Sequence, residues 1–216
     1  METKAFGTAV TDETLKAMSQ YSNKTITRFH RGHEALKLMY ADGKEVAPLK
    51  YVKELRPTFG DKAATICMVY NATGDPLEYV THHNWSGDLQ GSTVYPEKIA
   101  NGQWATFIHA SSTVAIGTSS SGAVVYRGKN KAGADGDWMF SWNHTFSTLN
   151  GHTAYTEIRE AGHFQGKELW EKLEQLTLGS KAESSDDRNG LLAKVYIQSD
   201  AVAIYRAVLF LEGADA

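Results

Sequence analysis

The sequence predicts an α+β fold that is mainly β: an antiparallel β-sandwich with a short helical amino-terminal region and one helical insertion. Three observations predict it. The first sixty residues carry helix-period apolar patterns with capping residues. From Ala64 onward, β-branched and aromatic residues recur in short runs separated by turn formers. Most of those runs have no helical crossover between them, as a parallel sheet would require. Residues 1–60 are therefore expected to form a helical extension packed on a sandwich of residues 61–216. The 216 residues, 42% of them hydrophobic, suffice for one substantial core.

Taken in order, Thr11 or Asp12 can cap the helix of "TDETLKAMSQ", with Leu15 and Met18 on one face. Thr27 can cap "RFHRGHEALKLMYADG", where Leu36, Met39 and Tyr40 make an apolar stripe and Gly43 suits the stop. Pro48 fits the first turn of a third helix carrying Leu49, Val52 and Leu55. Each is too short to persist without docking on another layer. "ATICMVYNATGDPLEYVTHH" then reads as strand, turn, strand, and "GQWATFIHA" alternates Trp104, Thr106 and Ile108 against Gln103, Ala105 and Phe107. "STVAIGTSSSGAVVYRG" reads as two strands around a flexible turn at Ser119 to Gly122. "DWMFSWN" directs Trp138, Phe140 and Trp142 to one face, expected to be core. "TAYTEIRE" continues the series, and a helix near 165–177 places Leu169, Lys172, Leu173 and Leu176 along one side before Gly179. The segment near 180–190, "SKAESSDDRNG", has almost no apolar residues and is expected to be a mobile loop. "LLAKVYIQ" and "AVAIYRAVLFLE" are strands joined by a turn at Ser199–Asp200.

Charge and motif content exclude several function classes. Lys and Arg total 22 against 25 Asp and Glu, so no nucleic-acid partner is expected. No run approaches the roughly 20 apolar residues of a membrane-spanning helix, and the opening residues do not read as a secretion signal, which points to a cytosolic protein. Cys67, the single cysteine, lies in an apolar strand and reads as structural. Four N-x-Ser/Thr sequons, at Asn23, Asn71, Asn84 and Asn143, read as polar loops. Neither phosphate-binding glycine motif occurs, nor a nucleophile elbow. Asp135 and Asp137 miss calcium-loop spacing and read as a solvated turn. Neighbouring His82 and His83 project to opposite faces of a strand, and His30 and His33 lack a third ligand, so no metal and no cofactor are expected.

Aromatic residues carry more information. Trp85 lies in "HHNWSGD", read as a polar loop beyond a strand end, where an indole can stack on a sugar or enter a lipid interface with its N–H still wet.

The segments "FGTAVTDETLKAMSQYSNKTIT", "PLKYVKELRPTFGD", "VYNATGDPLEYV", "HHNWSGD", "NGQWATFIHA", "AVVYRGKN" and "AYTEIREAGHF" resemble, in order and spacing, the plant jasmonate-induced protein family of about 23 kDa. The resemblance runs from Phe6 to Phe164 and implies a stress- or wound-associated plant protein, cytosolic, with no established catalytic mechanism. More distantly, residues 70–110 are similar to the first half of an aegerolysin- or actinoporin-like β-sandwich, several relatives of which bind membrane lipids. That likeness is one of fold.

The expected function is therefore non-enzymatic: recognition of a lipid head group or glycan by loops at one end of the sandwich, with Trp85, Tyr95 and Trp104 as ligand contacts and no catalytic residue assigned. A homo-oligomer is compatible with this reading. One alternative is an enzyme using His82 or His83, His109, and Glu157 or Asp88 as acid–base groups, since imidazole titrates near neutrality. Another is a protein–protein interaction module acting through its helical face, which would show as an exposed apolar patch.

Overall fold

The computed structural model describes residues 5–55, 57, 60–90, 94–115, 118–145, 151–198 and 202–215. The expected turn at Ser199–Asp200 lies outside them. Two sheets face each other. The first has seven strands: β1 (Ala5–Phe6), β2 (Ala64–Ala72), β4 (Asp88–Leu89), β6 (Trp104–Ala110), β10 (Glu183–Arg188), β11 (Leu191–Gln198) and β12 (Ala203–Leu211). Their order is β1-β6-β2-β12-β11-β10, and β4 also pairs with β6. The second sheet is β5-β3-β7-β8-β9, built from β3 (Leu77–Ser86), β5 (Lys98–Ile99), β7 (Ser119–Lys129), β8 (Asp135–Thr145) and β9 (Thr153–Glu160).

This is the expected sandwich, with one departure: β12 runs parallel to β2, placing Tyr205 beside Cys67, while every other described pairing is antiparallel. The last strand closes the sheet by entering its centre from the same end as β2. A second departure concerns the strand–turn–strand of residues 64–86. Its two strands form as expected but enter opposite sheets, so the turn is a corner between layers and not a hairpin. Asn71 supports that corner, donating to Asp75 O and Ile99 O at 2.8 Å each while its Oδ1 accepts from the Thr73 N–H and hydroxyl.

The core between the sheets holds Val69, Phe107, Tyr126, Trp138, Phe140, Trp142 and Tyr205, all fully buried. Trp138, Phe140 and Trp142 share the inward face as their spacing predicts. The amino-terminal helices α1 (Asp12–Lys16), α2 (Arg28–Lys37) and α3 (Val46–Leu55) lie over the outer face of the seven-stranded sheet. Thr11 caps α1 and Thr27 caps α2, each in a reciprocal capping box, with Thr14 and His30 bonding back to the cap N–H. Leu15, Tyr21 and Ala35 then bury against Met68, Tyr70 and Trp104, which supplies the docking partner that short helices need. Arg31 bridges Asp12 at 2.7 Å and Asp75 at 2.9 Å, tying two helices to the β2–β3 corner.

Five expectations about local structure are corrected. Ser119 to Gly122 is not a turn but the start of β7, and no strand forms among described residues 111–115. Small residues are needed there because a Cβ at Gly122 would lie 3.1 Å from His83 O and 3.2 Å from the Trp142 ring. Ser120 Oγ meanwhile donates to His109 O and accepts the Trp142 N–H. The segment near 180–190 is not a loop: Glu183 to Arg188 pair in register with β11. Its polarity is that of a strand at the sheet edge, where charged side chains are tolerated on both faces; Asp186 bonds Ile158 N and Arg159 of neighbouring β9. In α4 (Leu169–Leu178) the buried stripe is Trp170, Leu173 and Thr177, and Leu176 is exposed. Thr177 turns inward because its hydroxyl meets Ser141 Oγ at 2.7 Å and donates to Leu173 O. Asp137 is fully buried, accepting two bonds from Arg127 and one from Gly162 N, so only Asp135 belongs to the exposed turn region. Of the four sequons, Asn71, Asn84 and Asn143 sit in strands; their sequence context reflects polar strand ends.

Candidate functional site

Aromatic rings with hydrogen-bonded polar edges converge on β3, where the second sheet meets β4 and β6 of the first. Register shifts interrupt the β3–β7 pairing between Tyr79 and Thr81, and again between Asn84 and Ser86. A bulge adds one residue and so flips the alternation of faces. Consequently Tyr79, His82 and Asn84 all point toward the space between the sheets, while Val80, His83 and Trp85 point outward toward α4.

On the inner side the rings of Tyr79 and Tyr95 stack at 5.9 Å with their planes 9° apart. The His82 ring lies 4.5 Å from Tyr95, and Tyr79 Oη meets His82 Nδ1 at 2.5 Å. Phe107 and Tyr126 meet these rings edge-on from the core. The polar rim is continuous: Tyr95 Oη donates to Asn84 Oδ1 at 3.2 Å, and Asn84 Nδ2 donates to Asp88 Oδ1 at 2.9 Å. Gly87 makes the corner between β3 and β4 with φ +93°, and a Cβ there would lie 2.4 Å from Ala110 O. No L side chain fits that approach.

Burial lowers the His82 pKa below its ordinary value, with nearby Asp88 pulling the other way. Burial likewise raises the Tyr79 and Tyr95 phenols, so charge on the rings of the cluster is disfavoured. Tyr79 and His82 keep accessible ring surface over the buried Tyr95, and Asn84 and Asp88 add an amide and a carboxylate. Such a surface suits reversible binding of a polar group that has a cationic or apolar edge.

The three ligand contacts expected from the sequence separate. Tyr95 belongs to this cluster and is 8% exposed. Trp85 is half-buried and lies within β3, not in a loop beyond it; it sits on the opposite face, where its N–H donates to Trp170 O at 3.2 Å and His83 stacks on Trp170 at 5.1 Å. Trp104 is core. It has no exposed surface, packs on Tyr70 beneath the amino-terminal helices, and donates its N–H to Met39 O at 3.0 Å, so it cannot touch a ligand. Tyr79 and Asn84 were not legible as site residues, because an unbroken strand would put Tyr79 and His82 on opposite faces and no sequence signal marks the bulge.

The acid–base set of the enzyme alternative assembles only in part: His82, His109 and Asp88 are neighbours, whereas His83 packs on Trp170 and Glu157 lies on β9. His82 and His83 face apart. His109 is fully buried between the sheets beside Ser120, and burial lowers its pKa to about 4. Glu157 lies on β9, held by Tyr155 and by Arg159 at 2.9 Å. Among the described residues no group of three or more His, Cys, Asp or Glu is arranged to hold a metal ion, and no helix is long and apolar enough to cross a membrane.

Comparison with known proteins places this geometry in context. The crystal structure of the lipid binding protein Nakanori superimposes with a TM-score of 0.83 at 22% identity, covering 96% of this chain and 100% of that one. The 23 kDa jasmonate-induced protein of Hordeum vulgare is 36% identical over 199 residues, spanning 91% of this chain and 92% of the relative. A jasmonate-induced protein homolog of Atriplex canescens is 36% identical over 80 residues, 37% of this chain and 40% of that protein. The model of the Nakanori-like protein family matches residues 6–212, and the chain belongs to that family.

Proposed function

We propose that the protein is a non-enzymatic binder of a lipid head group, which it takes at the sandwich edge through Tyr79, His82, Asn84 and Tyr95. The observation that carries this reading is the stacked Tyr79–Tyr95 pair, rimmed by Asn84 and Asp88 and set where β3 leaves its sheet. The lipid-binding neighbour with the same fold supports it. Trp85, on the other side of the same strand, supplies an amphipathic ring suited to the membrane interface beside the bound head group. The jasmonate-induced relatives support a role in stress responses.

The test is co-sedimentation with vesicles of phosphatidylcholine alone, with sphingolipid and sterol, or with anionic phospholipid. Wild-type protein is expected to pellet with at least one composition. His82→Ala is expected to lower that binding at least fivefold with an unchanged melting temperature. Tyr79→Ala is expected to lower it at least fivefold with a lowered melting temperature but a folded protein, since its ring packs on Tyr95 and Tyr126. Absence of binding to every composition, together with binding to a soluble glycan panel, would replace the lipid by a sugar. Equal pelleting of wild type and both variants would move the site elsewhere.

A further inference from the structure

A second concavity lies far from the β3 cluster, on the outer face of the seven-stranded sheet. The helices cover β2 and β6, and among the described residues no layer covers the outer faces of β10, β11 and part of β12. The result is an open groove of about 820 Å³ between the end of α2 and β10, within the roughly 300–1,000 Å³ typical of small-molecule sites. Its floor is apolar: Val208 and Phe210 of β12, joined by Leu36 and Met39 from the α2 side. Tyr40 and Tyr196 flank it and are 54% and 42% exposed, so two large rings line a surface that none of the described residues covers.

Charge in the groove is unevenly matched. Lys194 lies 4.0 Å from Asp215 and over the Phe210 ring. Arg206, half-buried and opposite Tyr196 in register, donates from Nη1 to Tyr196 Oη at 2.6 Å, and its guanidinium lies 5.4 Å from that ring. Among the described residues Arg206 has no carboxylate partner, although it borders an apolar floor where a cation attracts an anion more strongly than in water. Lys181 adds a further positive charge to the lining, and Glu183 a negative one. A guanidinium already oriented by a tyrosine hydroxyl has its remaining N–H donors in the planar fork that carboxylates fit.

We propose that this groove binds a free fatty acid, with the carboxylate on Arg206 and the chain along Val208 and Phe210. The site is independent of the head-group cluster on β3.

The test is calorimetric titration with decanoate below its micelle concentration, beside 1-decanol and acetate. Decanoate is expected to bind saturably, decanol and acetate at least tenfold more weakly, since each lacks one half of the match. Arg206→Gln is expected to weaken decanoate at least tenfold and Tyr196→Phe about threefold, with melting temperatures unchanged. Tyr79→Ala is expected to bind decanoate like wild type, so that failure of the lipid head-group reading leaves this one intact. No saturable binding of decanoate, wild-type affinity in Arg206→Gln, or decanol binding as tightly as decanoate would each overturn the proposal.

Discussion

Trp85 and Trp104 occupy comparable places in the two sheets: each lies on an outer face, and each donates its indole N–H to a backbone carbonyl in the helical layer, Trp170 O for one and Met39 O for the other. Their burial differs completely. Three helices and the segment after α2 roof β2 and β6 and leave Trp104 with no exposed surface, whereas α4 and the short 3-10 helix His163–Gln165 cover the five-stranded sheet and leave Trp85 half-exposed at the margin. The fate of a strand tryptophan is set by how much of the sheet its covering layer reaches, not by its local sequence.

The strongest way to break this comparison is Trp104→Ala. It should cost about 3–5 kcal/mol, because the cavity lies under a layer that cannot collapse onto it; a drop in urea midpoint no larger than that of Trp85→Ala would refute the distinction between the two faces.

The space between the sheets offers the next test. His109 and His144 are buried there with their Nε2 atoms unpartnered among the described residues, and burial lowers both to about 4. His144 Nδ1 meets His152 Nδ1 at 2.8 Å, and His109 has Asp88 and His82 as its charged or titratable neighbours. Both folded-state values lie below the ordinary 6.5, so the unfolded chain takes up protons first. Stability from these groups is complete above pH 6.5 and is lost as pH falls toward 4, by at most about 3 kcal/mol for each. Urea midpoints at pH 7 and 4.5 should converge in His144→Gln relative to wild type; an unchanged pH dependence would mean that this end of the interior is wet.

Gly122→Val sharpens the comparison from inside the sandwich, since the new side chain meets His83 O and the Trp142 ring of the core. A loss of about 1–3 kcal/mol is expected from overpacking, read as a lower melting temperature, and Gly122→Ala should cost less. Trp85→Ala should cost about 1–2 kcal/mol, from one hydrogen bond and partial ring burial. Its melting temperature should fall far less than that of Trp104→Ala. Smallest is Tyr95→Phe, which removes the bond to Asn84 and should cost about 1 kcal/mol while preserving the ring stack. A larger loss would mean that the hydroxyl organises the whole Asn84–Asp88 rim.

Much of the architecture was legible in the chain. Thr11 and Thr27 announce their helices because a hydroxyl three residues ahead of an orphan amide is a local arrangement, complete within four residues. Trp138, Phe140 and Trp142 announce a buried face because side-chain direction in a strand follows parity. The candidate site was only partly legible. Tyr95 was singled out, but its partners Tyr79 and Asn84 were not, and Trp104 was wrongly included because alternation shows that a residue faces one side without showing what lies there. Ser119 to Gly122 misled for a similar reason, since small residues serve a turn and a crowded sheet equally well.

By itself the sequence determined most of the elements, the amino-terminal caps Thr11 and Thr27 and the β-sandwich class, which follow from local spacing and composition, while Gly43 does not stop α2, which ends at Lys37. Only the tertiary structure decided that consecutive strands 64–72 and 77–86 join opposite sheets and that β12 enters beside β2 in parallel. It alone decided that residues 183–188 pair as an edge strand and that a bulge turns Tyr79 and His82 to one face. Those outcomes depend on which strand edges find partners across long sequence separations, and that contest is settled by burial of the whole core.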